Sequence, residues 1–157
     1  WCDIIKMELL NNKIMIWEAV NMIQLIVGRK GTGKTKTLIG MANETVKDSR
    51  GEVVFITSER KSMLELDYQV RLIKTQDFGI KGFEQFYAFL CGIIAENYDI
   101  DQIYIDGLLE ILGDNLKSLE AFMFSIKKLS NEYSIKFTIS MCGDPESVPA
   151  FLQEYIA

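Results

Sequence analysis

The stretch Gly28-Arg29-Lys30-Gly31-Thr32-Gly33-Lys34-Thr35 is the most informative part of this chain, because it matches the pattern G-x-x-x-x-G-K-[ST] at every fixed position. Glycines in such a loop allow successive backbone N–H groups to turn inward, and the helix that follows presents its positive end to the same point. In this pattern Lys34 reaches the outer phosphates of a nucleotide, and the Thr35 hydroxyl takes a coordination position on Mg²⁺. The loop therefore predicts a phosphate-binding site.

The segments on either side of this loop, the Walker A motif, have the context that the pattern requires. Residues 22–27 form a short apolar run typical of a buried parallel strand, and residues 36–46 carry apolar side chains at helical spacing. Strand, glycine-rich loop and helix together favour nucleotide binding over a chance match. The residues expected to contact the nucleotide are Gly28, Arg29, Lys30, Gly31, Thr32, Gly33, Lys34, Thr35 and Lys36.

Composition limits the class of protein and of partner. A length of 157 residues with 48% hydrophobic and 25% charged residues predicts one globular domain with a full core. The net charge of −5 argues against sequence-independent binding to nucleic acid, which depends on Lys and Arg. The basic residues around the loop are better explained by the charge of a phosphate.

The rare residue types exclude several chemistries. The chain has no histidine, so histidine-dependent triads, H-E-x-x-H metalloproteases and histidine proton shuttles are ruled out. Its three cysteines, Cys2, Cys91 and Cys142, are far apart and predict free thiols in a reducing compartment, hence a cytoplasmic protein. No apolar run approaches the roughly 18 residues that span a bilayer, so we expect no membrane span.

Residues 1–21 are interpreted separately from the rest. We expect an N-terminal extension that is not native to the domain, because Met22 directly precedes the first strand, where chains of this kind often begin. The stretch lacks the basic opening and the small-residue cleavage site of a secretory signal. The alternative is an N-terminal helix packed on the edge of the sheet. Residues 22–157 then form a single domain.

Downstream of the first helix, strand and helix patterns alternate, which predicts a parallel sheet with helices on both faces. The predicted strands are 52–57, 70–74, 102–106 and 135–141; the predicted helices are 83–97, 116–130 and a short final one within 148–156 that covers an edge.

Asp106 is the second functional candidate. It ends the hydrophobic strand Gln102-Ile103-Tyr104-Ile105-Asp106, and a hydrophobic strand ending in an acid is the form of a Walker B element. In such an element the carboxylate anchors Mg²⁺, usually through water. The full Walker A motif upstream makes Asp106 the strongest candidate for this role, with Thr35 as the other protein ligand.

The order of these parts resembles the ATPase core of the RecA-like branch of P-loop NTPases over about residues 23–141. The resemblance implies a three-layer α/β/α P-loop NTPase fold with a mainly parallel five-stranded sheet, and ATP and Mg²⁺ as ligands. It also implies that strand 135–141 lies close to the Walker A and Walker B strands, with its end near the γ-phosphate. That end reads Ser140-Met141-Cys142, whereas the recombinases carry Asn or Gln there, so recombination is not implied.

The same resemblance nominates catalytic residues. In the RecA-like branch an acid at the exit of the second strand polarises the attacking water, and Glu59 stands at the matching place, with Lys34 as the catalytic lysine. Glu110, four residues beyond Asp106, is the alternative base. No arginine of the chain is well placed as a finger, so a protein partner or a second copy would supply one.

Three functions are consistent with the sequence. The first is binding and slow hydrolysis of ATP, preferred over GTP because residues 115–118, Asn-Leu-Lys-Ser, lack the aspartate of a guanine-reading [NT]-K-x-D motif. The second is phosphoryl transfer to a small nucleoside or metabolite, although no arginine-rich lid follows Asp106. The third is nucleotide sensing without hydrolysis.

Overall fold

The structure, a computed structural model, describes residues 22–58 and 64–156. The expectations for residues 1–21 and for Glu59 fall outside these ranges.

The centre of the molecule is a five-stranded sheet in the order β1-β5-β4-β2-β3, in which every strand pair is parallel. The prediction of a mainly parallel five-stranded sheet is therefore confirmed. Each of the predicted strands is present, with ends shifted by a residue or two. The strands are β1 (Ile23–Gly28), β2 (Glu52–Thr57), β3 (Arg71–Lys74), β4 (Ile100–Asp106) and β5 (Lys136–Cys142).

In the described ranges, four α-helices lie between these strands: α1 (Lys34–Asp48), α2 (Gly82–Glu96), α3 (Leu108–Leu112) and α4 (Leu116–Tyr133). Short 3₁₀ helices cover Thr75–Phe78, Pro145–Ser147 and Ala150–Tyr155. The sequence predicted α1, α2 and α4 but not the five-residue α3. The predicted final helix is a 3₁₀ helix, and it does cover an edge, since Ile156 beyond it forms a parallel bridge with Leu25 of β1.

One face of the sheet is covered by α2, α3 and α4, which supply most of the apolar core. Phe86 of α2 stacks on Phe122 of α4 with ring centroids 5.5 Å apart, and both side chains are fully buried. Burying a side chain of this size is worth about 1.5–3 kcal/mol. Packing of this kind explains why the strongly apolar 83–97 pattern forms a helix against the sheet.

The opposite face is covered by α1, which makes the fold a three-layer α/β/α structure. Its helical apolar spacing puts one stripe of side chains against β2 and β4. Tyr104 of β4 hydrogen-bonds Thr45 of α1 through its hydroxyl at 2.6 Å, and burial raises the pKa of that hydroxyl. The buried residues of this second core are Leu38, Ile39, Ala42, Val53, Phe55, Val70 and Tyr104.

The position of β5 in the sheet bears directly on function. It pairs with β1 on one side and with β4 on the other, which agrees with the placement of strand 135–141 that the resemblance to the RecA-like core implied. Because all strands are parallel, their carboxyl ends share one edge, and in open α/β sheets ligands bind at that edge. The Walker A loop, Asp106 and the end of β5 therefore meet there.

Among the helices described, none is both long and apolar enough to cross a membrane.

Gly51, in the turn that precedes β2, is tightly packed against the backbone of Asp99. A Cβ added at Gly51 would lie 2.1 Å from the carbonyl oxygen of Asp99, which accepts the Glu52 N–H at 2.7 Å and so cannot easily move. We expect Gly51→Ala to lower the free energy of unfolding by about 1–3 kcal/mol, measured by urea denaturation.

The matched control is Gly92→Ala, in the exposed middle of α2. An added Cβ there meets nothing within 4 Å, so the change should raise stability by about 0.5–1 kcal/mol through helix propensity. Equal effects of the two substitutions would contradict the close approach at Gly51.

Candidate functional site

The loop between β1 and α1 has a conformation that depends on two of its glycines. Gly31 and Gly33 have φ of 83° and 85°, in the left-handed region that other L-residues rarely adopt. Gly33 is the N-cap of α1, so the first N–H groups of a 15-residue helix face the loop. The N-terminal end of such a helix attracts anions. Two glycines of the loop thus adopt the left-handed conformation, and the helix N-terminus begins directly after the second of them.

Lys34 lies folded across its own loop. Its Nζ donates hydrogen bonds of 2.8 Å to the carbonyl oxygens of Gly28 and Arg29. The Arg29 carbonyl also accepts from the backbone N–H and the hydroxyl of Thr32, at 3.3 and 2.8 Å. A phosphate beside the loop would compete with these carbonyls for the ammonium group, which can form several hydrogen bonds at once.

Thr35 and Asp106 meet although 71 positions separate them in the chain. The Thr35 hydroxyl lies 2.9 Å from Asp106 Oδ2 and 3.1 Å from Oδ1. The Asp106 carboxylate is only 4% exposed, and a buried carboxylate needs such donors because desolvation is costly. The structure thus brings the two predicted metal ligands into direct contact.

Ser140 is a third member of this cluster, and the sequence did not single it out as a binding residue. Its hydroxyl donates to Asp106 Oδ1 at 2.6 Å and accepts from the backbone N–H of Gly107 at 2.9 Å. The available signal was a polar residue within the apolar strand Phe137-Thr138-Ile139-Ser140-Met141. Its contact with Asp106 depends on the pairing of β5 with β4.

A cleft of about 630 Å³ opens above these groups at the carboxyl edge of the sheet. Six predicted loop residues line it: Lys30, Gly31, Gly33, Lys34, Thr35 and Lys36. Asp106 and Ser140 line it from the strand ends, together with Ser58 at the end of β2 and Glu110 of α3. A triphosphate could lie in this space with the loop, the lysine and the carboxylate around it.

The remaining predicted loop residues lie on the other side of the loop. Gly28, Arg29 and Thr32 line a neighbouring cleft of about 550 Å³, and Lys34 borders both clefts. Arg29 pairs with Asp144 at 3.1 Å, and its side chain is 76% exposed. An exposed pair of this kind contributes little to stability. The structure therefore divides the predicted contact set between two adjoining spaces.

The two candidate bases are located differently. Glu59 lies outside the described residues, but the residue before it, Ser58, borders the larger cleft. Glu110 also borders that cleft, and a Cβ built on Gly107 would lie 2.9 Å from its Oε2. Gly107 has no Cβ, and this leaves room for the Glu110 carboxylate after the end of β4. The geometry keeps Glu110 available as a base.

The described residues hold no cluster of three or more His, Cys, Asp or Glu side chains that could bind a metal by themselves. Thr35 and Asp106 supply one hydroxyl and one carboxylate, the oxygen donors that Mg²⁺ prefers. Mg²⁺ commonly takes one or two protein ligands and completes its shell with water and substrate phosphates. The donor set fits Mg²⁺ bound together with a phosphate.

Comparison with known proteins adds no assignment. Neither protein-family models nor curated proteins give a match to this chain.

The left-handed glycine at the start of α1 gives a test of the loop conformation. An added Cβ meets nothing within 4 Å at Gly33 or at Gly40, a mid-helix glycine of α1, but only Gly33 has a positive φ. We expect Gly33→Ala to lower the free energy of unfolding by about 1–2 kcal/mol. Gly40→Ala should raise it by about 0.5–1 kcal/mol. Chemical denaturation of both variants checks this, and a stabilised Gly33→Ala would contradict the conformation.

Proposed function

We propose that this chain is a Mg²⁺-dependent P-loop NTPase of the RecA-like kind that binds ATP in the cytoplasm and hydrolyses it slowly. The observation that carries the proposal is the contact between Thr35 and Asp106 at 2.9 Å. It joins the threonine of a complete Walker A motif to an acid at the end of a nearby strand. A chance match to the motif would not require these two side chains to meet.

Phosphate binding follows from the loop. The N-terminus of α1 and the inward N–H groups of the loop offer hydrogen bonds to the β-phosphate. Lys34 exchanges its bonds to the Gly28 and Arg29 carbonyls for bonds to phosphate oxygens. The exchange is favourable because a charge-assisted bond to an anion is stronger than one to a neutral carbonyl. Lys34 thus becomes available only when a phosphate is present.

Thr35 and Asp106 hold the metal in this proposal. Mg²⁺, when bound, neutralises charge that develops on the phosphates during transfer. Thr35 and Asp106 would hold the ion through their hydroxyl and carboxylate oxygens, the donor types that Mg²⁺ prefers. Their contact at 2.9 Å already places the two oxygen donors side by side.

Glu59 activates the attacking water in this proposal, by accepting a proton as the water oxygen bonds to the γ-phosphorus. The bond from that phosphorus to the β,γ-bridging oxygen breaks, and ADP and inorganic phosphate are released. It immediately follows Ser58, which borders the cleft. Glu110 is the alternative base, because it borders the same cleft from α3. Both would act as general bases in the same step.

A partner supplies the arginine. The chain's arginines are Arg29, Arg50, Arg60 and Arg71. Arg29 pairs with Asp144, and Arg71 pairs with Glu52 and Glu96 at the amino end of β3, away from the cleft. Arg50 precedes β2 and so lies at the same distant edge. Arg60 lies outside the described residues. Because none of the three described arginines reaches toward the larger cleft, we propose that a partner protein or a second copy completes the site and speeds hydrolysis.

The first test is binding of ATP by Lys34→Ala. Loss of one charge-assisted contact of about 1.5–3 kcal/mol should weaken ATP binding by about 10- to 100-fold, measured by calorimetry with Mg²⁺. Lys81→Ala, an exposed lysine at the N-cap of α2, is the control and should bind as the wild type does.

The same preparation distinguishes the proposal from its alternatives through phosphate release. Release without any acceptor supports an NTPase, whereas release that appears only with a small acceptor indicates a kinase. Binding with no release indicates a sensor. Equal ATP affinity in wild type and Lys34→Ala would contradict the proposed site altogether.

The second test compares Glu59→Gln with Glu110→Gln. Each substitution keeps shape and removes the ability to accept a proton, so the true base should lose about 100-fold or more in turnover with ATP affinity unchanged. Single-turnover phosphate release measures this. If both variants turn over like the wild type, neither residue is the base.

A further inference from the structure

Ser140 lies near the end of β5 and contacts Asp106 of the neighbouring strand β4 through its hydroxyl. Its side chain is 1% exposed. Its hydroxyl lies 2.6 Å from Asp106 Oδ1 and 2.9 Å from the Gly107 backbone nitrogen. The contact with Asp106 is buried, and the contact with Gly107 is partly buried.

The direction of these bonds is determined by chemistry. A serine hydroxyl has one hydrogen to donate. The Gly107 N–H can only donate, so the Ser140 oxygen must accept from it. The single hydroxyl hydrogen therefore points at the carboxylate. This orientation serves the ionised form of Asp106, which can only accept.

The two hydroxyls on Asp106 differ in what metal binding would do to them. Both residues border the cleft, but Thr35 is the proposed metal ligand and would have to turn its oxygen toward an incoming ion. Ser140 contacts Asp106 from the sheet side, and nothing in the proposed reaction asks it to move. It can therefore hold the carboxylate still while Thr35 reorients.

We propose that Ser140 is a positioning residue that sets the affinity of the site for Mg²⁺, by fixing the rotation of the Asp106 carboxylate and the turn at Gly107. This inference rests on the proposed function, since it presumes that Asp106 serves a nucleotide-bound metal. Residues that orient a metal ligand in this way typically change metal affinity by about 10- to 100-fold when they are removed.

The experiment titrates Mg²⁺ against the binding of a fluorescent ATP analogue in wild type and Ser140→Ala. We expect binding in excess EDTA to be unchanged and the Mg²⁺ concentration for half-maximal enhancement to rise about 10-fold or more. Ser140→Thr keeps the hydroxyl and should retain the wild-type Mg²⁺ dependence.

Thr138→Ala is the matched control. Thr138 lies two residues earlier on β5, is 2% exposed, and accepts a hydrogen bond from Gln102 at 3.0 Å, away from Asp106. It should lose stability without any change in Mg²⁺ dependence. If Ser140→Ala behaves like Thr138→Ala in the titration, Ser140 is merely structural and the inference is overturned.

Two further results have a defined meaning: a Ser140→Ala variant that does not fold, and a wild type that binds no nucleotide. If Ser140→Ala does not fold, Ser140→Cys replaces it, because a thiol has similar size but donates weakly. The same rise in Mg²⁺ requirement is then expected, and a wild-type titration overturns the inference. If the wild type binds no nucleotide, the proposed function is wrong, and the role of Ser140 in Mg²⁺ affinity is wrong as well.

Discussion

The arrangement of the site depends on the hydrogen bonds that the buried Asp106 carboxylate accepts from two hydroxyl groups. Asp106 is 4% exposed at the end of β4 and receives hydroxyl hydrogen bonds from an α-helix on one side and from a strand on the other. Burying an unpaired charge would cost several kcal/mol, so these donors are needed for the fold as well as for binding. A cation near this carboxylate would offset the remaining cost. In the proposed function that cation is Mg²⁺ bound together with a phosphate.

Strand order explains why two different elements reach the same carboxylate. Neighbouring strands lie about 4.8 Å apart, so β1 and β4 are separated by about 10 Å with β5 between them. The end of β5 therefore lies beside Asp106 and gives Ser140 direct access to it. The N-terminus of α1 extends from the end of β1 over β5, which brings Thr35 to the far side of the same group. A sheet with β1 beside β4 would leave no place for Ser140.

Side-chain polarity on the two faces of the sheet agrees with this arrangement. Facing α2, α3 and α4, β5 presents Phe137, Ile139 and Met141, which belong to the larger core. Facing α1, the same strand presents Thr138 and Ser140, both buried and hydrogen-bonded. The strand alternates between a packing face and a polar face, and its polar face leads to the cleft.

The sequence by itself determined the loop, the strand that ends in Asp106 and the α/β class, because each depends on residues close together in the chain. The glycine spacing of 28–35 predicts its own backbone form, and apolar periodicity predicts α1, α2 and α4. The five residues of α3 are too few to show a period, and the helix begins after a left-handed Gly107, so it was missed. Tertiary structure alone decided that Thr35 and Ser140 share one carboxylate. Such contacts join residues 71 and 34 positions apart, and they arise from strand order, which local periodicity does not record.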